Sequence, residues 1–102
     1  MTTPLTLAPG RRPDGTAVLK AVGEIDMSNT DALASALEST EGRLVIDLTG
    51  VDYLDSAGLS VLFSHVDRIE IIAGPLITPV LTVSGLADLA AVHDAEPGRP
   101  EG

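Results

Sequence analysis

LVIDLTGVDYLDSAGLSVLF, residues 44–63, joins a strand pattern to a helix pattern through a polar loop. Its first part, Leu44–Ile46 with Leu48, is a short β-branched apolar run, typical of a strand that is covered on both faces. Gly50 to Asp52 then read as a turn, after which Tyr53-Leu54 can extend the strand. We therefore expect a buried strand that ends at Leu48 and leads into a loop.

The second part of this stretch predicts an amphipathic helix that begins near Ala57. Apolar residues three, four and seven positions apart form one helix face, and Ser60, Ser64 and Asp67 fall on the other. Either Asp55 or Ser56 suits the N-cap position, because both residue types lead the N-cap preferences. The expected apolar face consists of Leu59, Leu62, Phe63 and Val66.

Two strands and a helix are predicted on the N-terminal side of this stretch. Leu5–Leu7 is a weak strand, and Thr16–Val22 is a stronger one that only Lys20 interrupts. Ser28 suits the N-cap of the following helix, with Asp31 in its first turn, where a negative charge is favourable. The apolar face of that helix is formed by Leu33, Ala34 and Leu37.

A strand, a short helix and a last strand are predicted on the C-terminal side. Ile69–Ala73 form the first of these strands. Thr78 followed by Pro79 fits an N-cap and a first helical residue, and Gly85 is a natural helix stop. Leu89–Val92 form the last strand. The order β-β-α-β-α-β-α-β predicts an α/β fold with one sheet, mostly parallel, because helices separate most of its strands.

The chain is short enough to form a single domain over residues 1–102. The expected ordered part runs from about residue 5 to residue 94. Residues 95–102 are expected to form a flexible tail, since Glu96–Gly102 contain two prolines, two glycines and no apolar side chain.

Composition excludes several classes of function. Fifteen acidic and six basic residues give a formal charge of −9, which disfavours nucleic acid and anionic membranes and favours a basic protein surface as partner. There are no cysteines, and neither His65 nor His93 has metal-ligand spacing around it, so we expect no metal and no cofactor. No apolar run approaches the ~20 residues of a membrane span. No signal peptide is recognised, and a cytoplasmic location is expected.

Ser56 is also a candidate modification site. It lies at the start of a helix, where unpaired N–H groups and a partial positive charge would partly stabilise a phosphate. Phosphorylation would add about −1.5 to −2 charges beside Asp52 and Asp55. Such a dense negative charge on a docking surface can abolish binding without unfolding the domain.

The run in residues 44–63 resembles the signature of STAS domains, and specifically of bacterial anti-anti-sigma factors, in which Asp-Ser-Ala/Ser-Gly-Leu opens a helix. Three further segments resemble the family in the same order, and the resemblance covers about residues 5–94. They are Gly23-Glu24-Ile25-Asp26, Ala73-Gly74-Pro75 and Val80–Leu86.

This resemblance implies an anti-sigma factor antagonist that regulates transcription, as in bacterial stress responses. Unphosphorylated, it would bind an anti-sigma factor with serine kinase activity and free the sigma factor. Phosphorylation of Ser56 by that kinase would release the complex, and a serine phosphatase would reset it. Asp26 matches an acidic recognition position, Asp55 would shape the site, and Gly58 would let the partner approach closely. The implied partner-binding set is Asp26, Asp55, Ser56, Ala57, Gly58, Ser60 and Val61.

Three departures from the family pattern and two alternatives accompany this hypothesis. The second helix with its following turn and the segment Leu76 to Pro79 are expected to be shorter than in the family. The family's C-terminal helix is expected to be absent, and a monomer or weak dimer is expected. The fold would also suit a scaffold subunit of a stressosome-like or lipid-transport complex. Independent catalysis is not expected, because no histidine lies near Ser56 in sequence and no Gly-x-Ser-x-Gly motif occurs. Asp47, at the end of its apolar run, suits structural hydrogen bonding as well as function.

Overall fold

Strands and helices alternate in the order that the sequence predicts. The structure is a computed structural model, and it describes residues 4–94. Within them a single 3-10 turn, Leu86–Asp88, precedes the last strand. The other elements are β1 (Thr6–Arg11), β2 (Ala17–Ile25), α1 (Thr30–Glu38), β3 (Leu44–Leu54), α2 (Ser56–Ser64), β4 (Ile69–Ala73), α3 (Thr78–Ser84) and β5 (Ala91–Asp94).

The strands form one five-stranded sheet in sequential order, β1-β2-β3-β4-β5. β1 and β2 pair antiparallel as a hairpin, whereas β2 to β5 are mutually parallel neighbours, each pair connected through a helix or helical turn. The predicted mostly parallel α/β sheet is therefore confirmed. The carboxyl ends of β2, β3 and β4 lie at the same edge of the sheet, the carboxyl edge. Ligands commonly bind α/β sheets at this edge.

The predicted turn after Leu48 is wrong, because β3 continues without interruption to Leu54. Its pairing with β4 ends at Leu48, opposite Ala73, but its pairing with β2 continues to the Ile25–Leu54 pair. Two register shifts in that second half let β2 follow the longer strand. Gly50, expected in a turn, lies within β3, where a Cβ atom would come within 2.9 Å of Val22.

Gly23 is a strand residue of β2. It adopts a φ of 115°, which an L side chain rarely adopts, and a Cβ atom there would lie 2.2 Å from the carbonyl oxygen of Pro4. The glycine lies at the second register shift of the β2–β3 pair. Because Gly23 has no side chain, the segment at Pro4 can pass close to β2, and β2 can continue to Ile25.

One face of the sheet is buried beneath the helices. Alternate residues of β2 and β4 are buried, whereas the residues between them, such as Lys20 and Glu70, are exposed or half-buried. The expected cover on both faces is confirmed for the start of β3, where Val45 on the opposite face is as buried as Leu44 and Ile46. Each fully buried leucine contributes about 1.5–3 kcal/mol. The core joins the sheet to all three α-helices through Leu33, Leu37, Leu62, Ile77 and Leu81.

Two predicted N-caps differ from the structure by one residue. α1 begins after Asn29 and not after Ser28, because the Ser28 side chain donates a hydrogen bond to Asp26 instead. α3 has Ile77 at its N-cap, and Thr78 is its first residue. Gly85 ends α3 as predicted, with a left-handed φ of 90°.

The expected tail, residues 95–102, and the expected absence of a C-terminal helix lie outside the described residues. Within residues 4–94, no helix has both the length and the apolar character that crossing a membrane requires.

Candidate functional site

Two loops leave the sheet side by side at its carboxyl edge. Ile25 and Leu54 are paired at the ends of β2 and β3, so Asp26 and Asp55 follow at adjacent positions. The backbone N–H of Asp55 donates to the carbonyl of Ile25 at 3.1 Å, which extends the pairing by one residue. α2 begins at the next residue, Ser56. The parallel register thus brings together two sequence segments that are almost 30 residues apart.

Asp55 is the N-cap of α2, which decides between the two caps that the sequence allowed. Its Oδ1 accepts from the backbone N–H of Gly58 at 3.0 Å, and its backbone is extended. Its Oδ2 accepts from the backbone N–H of Met27 at 3.2 Å. One carboxylate therefore satisfies a helix N–H group and connects the β2–α1 loop to the start of α2.

Ser56 is the first residue of α2, and its side chain is exposed. No hydrogen bond joins its hydroxyl to any other group in the described part of the chain, since Asp55 performs the capping. The hydroxyl is accessible from solvent and lies at the positive end of a nine-residue helix. Such a group can accept a phosphoryl group from an enzyme that docks on this edge.

Asp26 lies in a loop that is fixed by its own side chains. Its Oδ1 accepts from the backbone N–H of Ser28 at 2.9 Å and from the Ser28 hydroxyl. The Ser28 hydroxyl, and then the Ser28 N–H, hold the pKa of the Asp26 carboxyl below its usual value of 3.8. Asp26 therefore presents a stable negative charge next to the start of α2.

Asn29 completes this loop, a role that no sequence motif above assigns to it. Its Oδ1 accepts from the N–H of Asp26 at 3.0 Å, and its Nδ2 donates to the carbonyl of Glu24 at 2.8 Å. Aspartate, serine and asparagine side chains commonly bond to nearby backbone groups. Their close spacing in Asp26-x-Ser28-Asn29 is the sequence feature that indicates an ordered loop. These bonds give the loop one conformation.

Gly58 has a packing role within the fold, and its expected role in close approach by a partner stays a prediction. The residue is buried, and a Cβ atom there would lie 2.6 Å from Ile25 Cγ2 and 2.6 Å from Leu54 Cδ1. Glycine at this position lets α2 pack closely on the ends of β2 and β3. Of the remaining candidates, Ser60 is exposed, whereas Ala57 and Val61 are half-buried.

The other polar candidates have structural partners. Asp47 accepts from the N–H and the hydroxyl of Thr49, at 2.9 and 2.6 Å. The Nδ1 atom of His65 lies 3.0 Å from the carbonyl oxygen of Val61, and His93 pairs with Glu70 at 2.8 Å. Among residues 4–94, no group of three or more histidine, cysteine or acidic side chains has the geometry to hold a metal ion.

Comparison with known proteins identifies the family of this arrangement. The family model described as the STAS domain matches residues 10–77, which include β2, β3, α2 and the loops that follow β2 and β3. A search of curated protein sequences finds no significant match.

Several solved structures are similar to this one. An anti-sigma factor antagonist from Mycobacterium paratuberculosis has a TM-score of 0.80 and 28% identity, covering 88% of this chain and 86% of that one. The anti-sigma factor antagonist SpoIIAA in its unphosphorylated form has a TM-score of 0.71 and 14% identity, covering 90% of each chain. An STAS-domain antisigma-factor antagonist from Rhodobacter sphaeroides has a TM-score of 0.52 and 16% identity, covering 68% of this chain and 84% of that one. The last two, at low identity, support the fold.

Proposed function

This chain belongs to the STAS domain family, and we propose that it is an anti-sigma factor antagonist controlled through Ser56. Unphosphorylated, it binds an anti-sigma factor with serine kinase activity in the cytoplasm, and this frees a sigma factor for transcription. Phosphorylation of Ser56 releases the complex, and a serine phosphatase restores the binding form. The similarity to the mycobacterial anti-sigma factor antagonist supports the general role.

The observation that carries this proposal is the exposed Ser56 hydroxyl at the first position of α2. A capping serine would have its oxygen engaged by the helix backbone, but here Asp55 accepts that bond. Ser56 is therefore accessible while the helix start stays intact. We propose Ser56 as a substrate residue and not as a catalytic nucleophile, because within residues 4–94 no histidine or carboxylate accepts a hydrogen bond from its hydroxyl.

Release on phosphorylation has a direct electrostatic cause. The phosphate would add about −1.5 to −2 charges to an edge that already carries Asp26, Asp52 and Asp55. Burying that charge against a partner surface shaped for a neutral hydroxyl is costly, because the phosphate must lose its water. A loss of 100-fold in affinity corresponds to about 2.7 kcal/mol, well within the cost of an unmatched interfacial charge.

Binding measurements on two Ser56 variants test this proposal. Ser56→Ala should bind a purified anti-sigma kinase about as tightly as the wild type, whereas Ser56→Glu should bind at least about tenfold more weakly. Ser64→Glu is the matched control, because Ser64 is exposed at the other end of the same helix. Isothermal titration calorimetry measures these affinities. ADP in place of ATP keeps the kinase from phosphorylating the protein during the measurement.

The phosphorylation step has its own readout. Incubation of wild type with the kinase and ATP should add one phosphate, which peptide mass spectrometry should place on Ser56. Equal affinity of Ser56→Ala and Ser56→Glu, or modification at another serine, would contradict the proposed switch. Binding of the kinase by neither wild type nor Ser56→Ala would contradict the proposed partner.

A further inference from the structure

Met27 combines an exposed apolar side chain with a fixed backbone. The residue is 79% exposed. Its N–H nevertheless donates to the Asp55 carboxylate at 3.2 Å. Its neighbours Asp26 and Ser28 are hydrogen-bonded to each other, so the loop has little freedom on either side. A scattered exposed apolar residue is common on protein surfaces, but this one is connected directly to the residue that precedes Ser56.

The charges around Met27 have one sign. Neither residues 21–42 nor residues 44–67 contain a lysine or an arginine. The carboxyl edge of β2 and β3 instead carries carboxylates, from Glu24 and Asp26 on one strand end and from Asp52 and Asp55 on the other. We call the surface formed by Glu24, Asp26, Met27, Asp52, Asp55 and Ser56 the acidic edge.

The basic residues of the described chain lie away from this edge. Arg11 and Arg12 lie at the β1–β2 hairpin, Arg43 directly precedes β3, and Arg68 directly precedes β4, which places all four at the amino ends of the parallel strands. Lys20 lies in the middle of β2. The charge of −9 is therefore unevenly distributed, and a partner that approaches the acidic edge meets no basic side chain in residues 21–29 or 44–56.

We infer that Met27 is the apolar anchor of the docking surface, inserted into an apolar socket that basic side chains of the partner surround. This inference rests on the proposed function and specifies the chemistry of the partner surface. Interfaces obtain most of their affinity from a few side chains that are fully desolvated at the centre. Met27 supplies the apolar centre, and the carboxylates around it supply the charged rim.

The placement of Met27 also suits a switch at Ser56. Its loop is already ordered, so binding immobilises only a flexible side chain and not the backbone. Methionine is unbranched and polarisable, and it adapts to an irregular socket. Because Asp55 bonds both to the Met27 N–H and to the start of α2, the backbone of Met27 is connected to the helix start that carries Ser56. A partner that binds the Met27 side chain therefore also covers Ser56.

Met27→Gln and Met27→Leu test the inference with the same purified anti-sigma kinase in ADP. The glutamine variant should bind at least about tenfold more weakly, since an amide in an apolar socket loses its water. The leucine variant should stay within about threefold of wild type, because it preserves the apolar character. Leu89→Gln is the control, because Leu89 is 61% exposed and lies before β5, at the amino edge of the sheet.

The results distinguish a failure of this inference from a failure of the proposed function. If the kinase binds wild type and rejects Ser56→Glu, but binds Met27→Gln as tightly as wild type, the anchor is overturned and the proposed function stands. An equal loss for Leu89→Gln would also overturn it, because the effect would then not depend on the acidic edge. If wild type does not bind the kinase, the proposed function itself fails.

Discussion

Asp55 is the residue on which the candidate site depends. Its backbone N–H, Oδ1 and Oδ2 bond to three different segments: the end of β2, the first turn of α2 and the β2–α1 loop. Asp55 and Ser56 are both good N-cap residues, so their types could not decide between them. The positions of β3 and α2 decide which residue is the cap. β3 ends at Leu54 and α2 begins at Ser56, so Asp55 is the extended residue between them.

At this scale the Asp26 carboxyl gives a pH-dependent prediction. Ser28→Ala removes the hydroxyl that lowers the pKa of Asp26, so that pKa should rise towards its usual value of 3.8. A carboxyl whose folded pKa is depressed stabilises the protein above its unfolded pKa and loses that contribution as the pH falls through the folded value. The stability difference between wild type and Ser28→Ala should therefore be present at neutral pH and disappear in acid, below pH 3.8.

Titration of the Asp26 carboxyl by NMR measures this pKa directly. Ser35→Ala is the control, since Ser35 is exposed on α1 and makes no side-chain bond to Asp26. An unchanged Asp26 pKa in Ser28→Ala would show that the hydroxyl does not stabilise the carboxylate.

At the scale of elements, α2 is positioned by its close approach to two strand ends. Gly58 lies against Ile25 and Leu54, and Leu62 is buried one turn further on. The sequence predicted an apolar helix face here but could not show that its first turn touches the sheet. A glycine in that position can equally indicate close approach by a partner, and only the tertiary structure shows that it lets the helix approach the sheet.

Gly58→Ala should destabilise the fold by about 1–3 kcal/mol. Alanine favours a helix over glycine by about 0.5–1 kcal/mol, but the added Cβ atom would contact Ile25 at 2.6 Å. Leu54 can rotate its terminal methyl away, whereas the β-branched Ile25 is fully buried and stiff, so the clash outweighs the helix gain. Urea denaturation measures the difference.

Gly10→Ala is the control for this measurement, because nothing lies within 4 Å of a Cβ atom at Gly10. It should change the free energy of unfolding by less than about 0.5 kcal/mol. Equal stability of Gly58→Ala and wild type would mean that α2 can move away from the sheet, and the close packing would then not position Ser56.

At the scale of the whole molecule, among residues 4–94 one edge of the sheet carries acidic residues without basic ones, whereas the other edge carries both signs. Acidic residues that follow β2 and β3 and basic residues that precede β3 and β4 end up at opposite edges, because parallel strands align their ends. An approaching partner with a basic surface is therefore steered to the edge that carries Ser56. Composition alone predicted a basic partner but not the place where it binds.

The association rate with the anti-sigma kinase should fall by about tenfold or more between 50 and 500 mM NaCl, since added salt screens the attraction. Asp52→Asn should slow association, because it removes a charge from the acidic edge. Glu41→Gln removes an exposed charge between α1 and β3, at the other edge, and should leave the rate unchanged. Stopped-flow measurements compare the three proteins, and equal rates for both variants would show that steering does not depend on the acidic edge.

The sequence by itself determined the order of strands and helices, the single mostly parallel sheet, the family resemblance and Ser56 as the central residue of the site. These follow from local patterns, because apolar spacing and helix-start residues act over a few positions. Only the tertiary structure decided that β3 continues to Leu54, that Asp55 and not Ser56 caps α2, and that Gly58 faces the core. Each of these depends on the pairing of β2 with β3, a contact between distant segments that no local pattern contains.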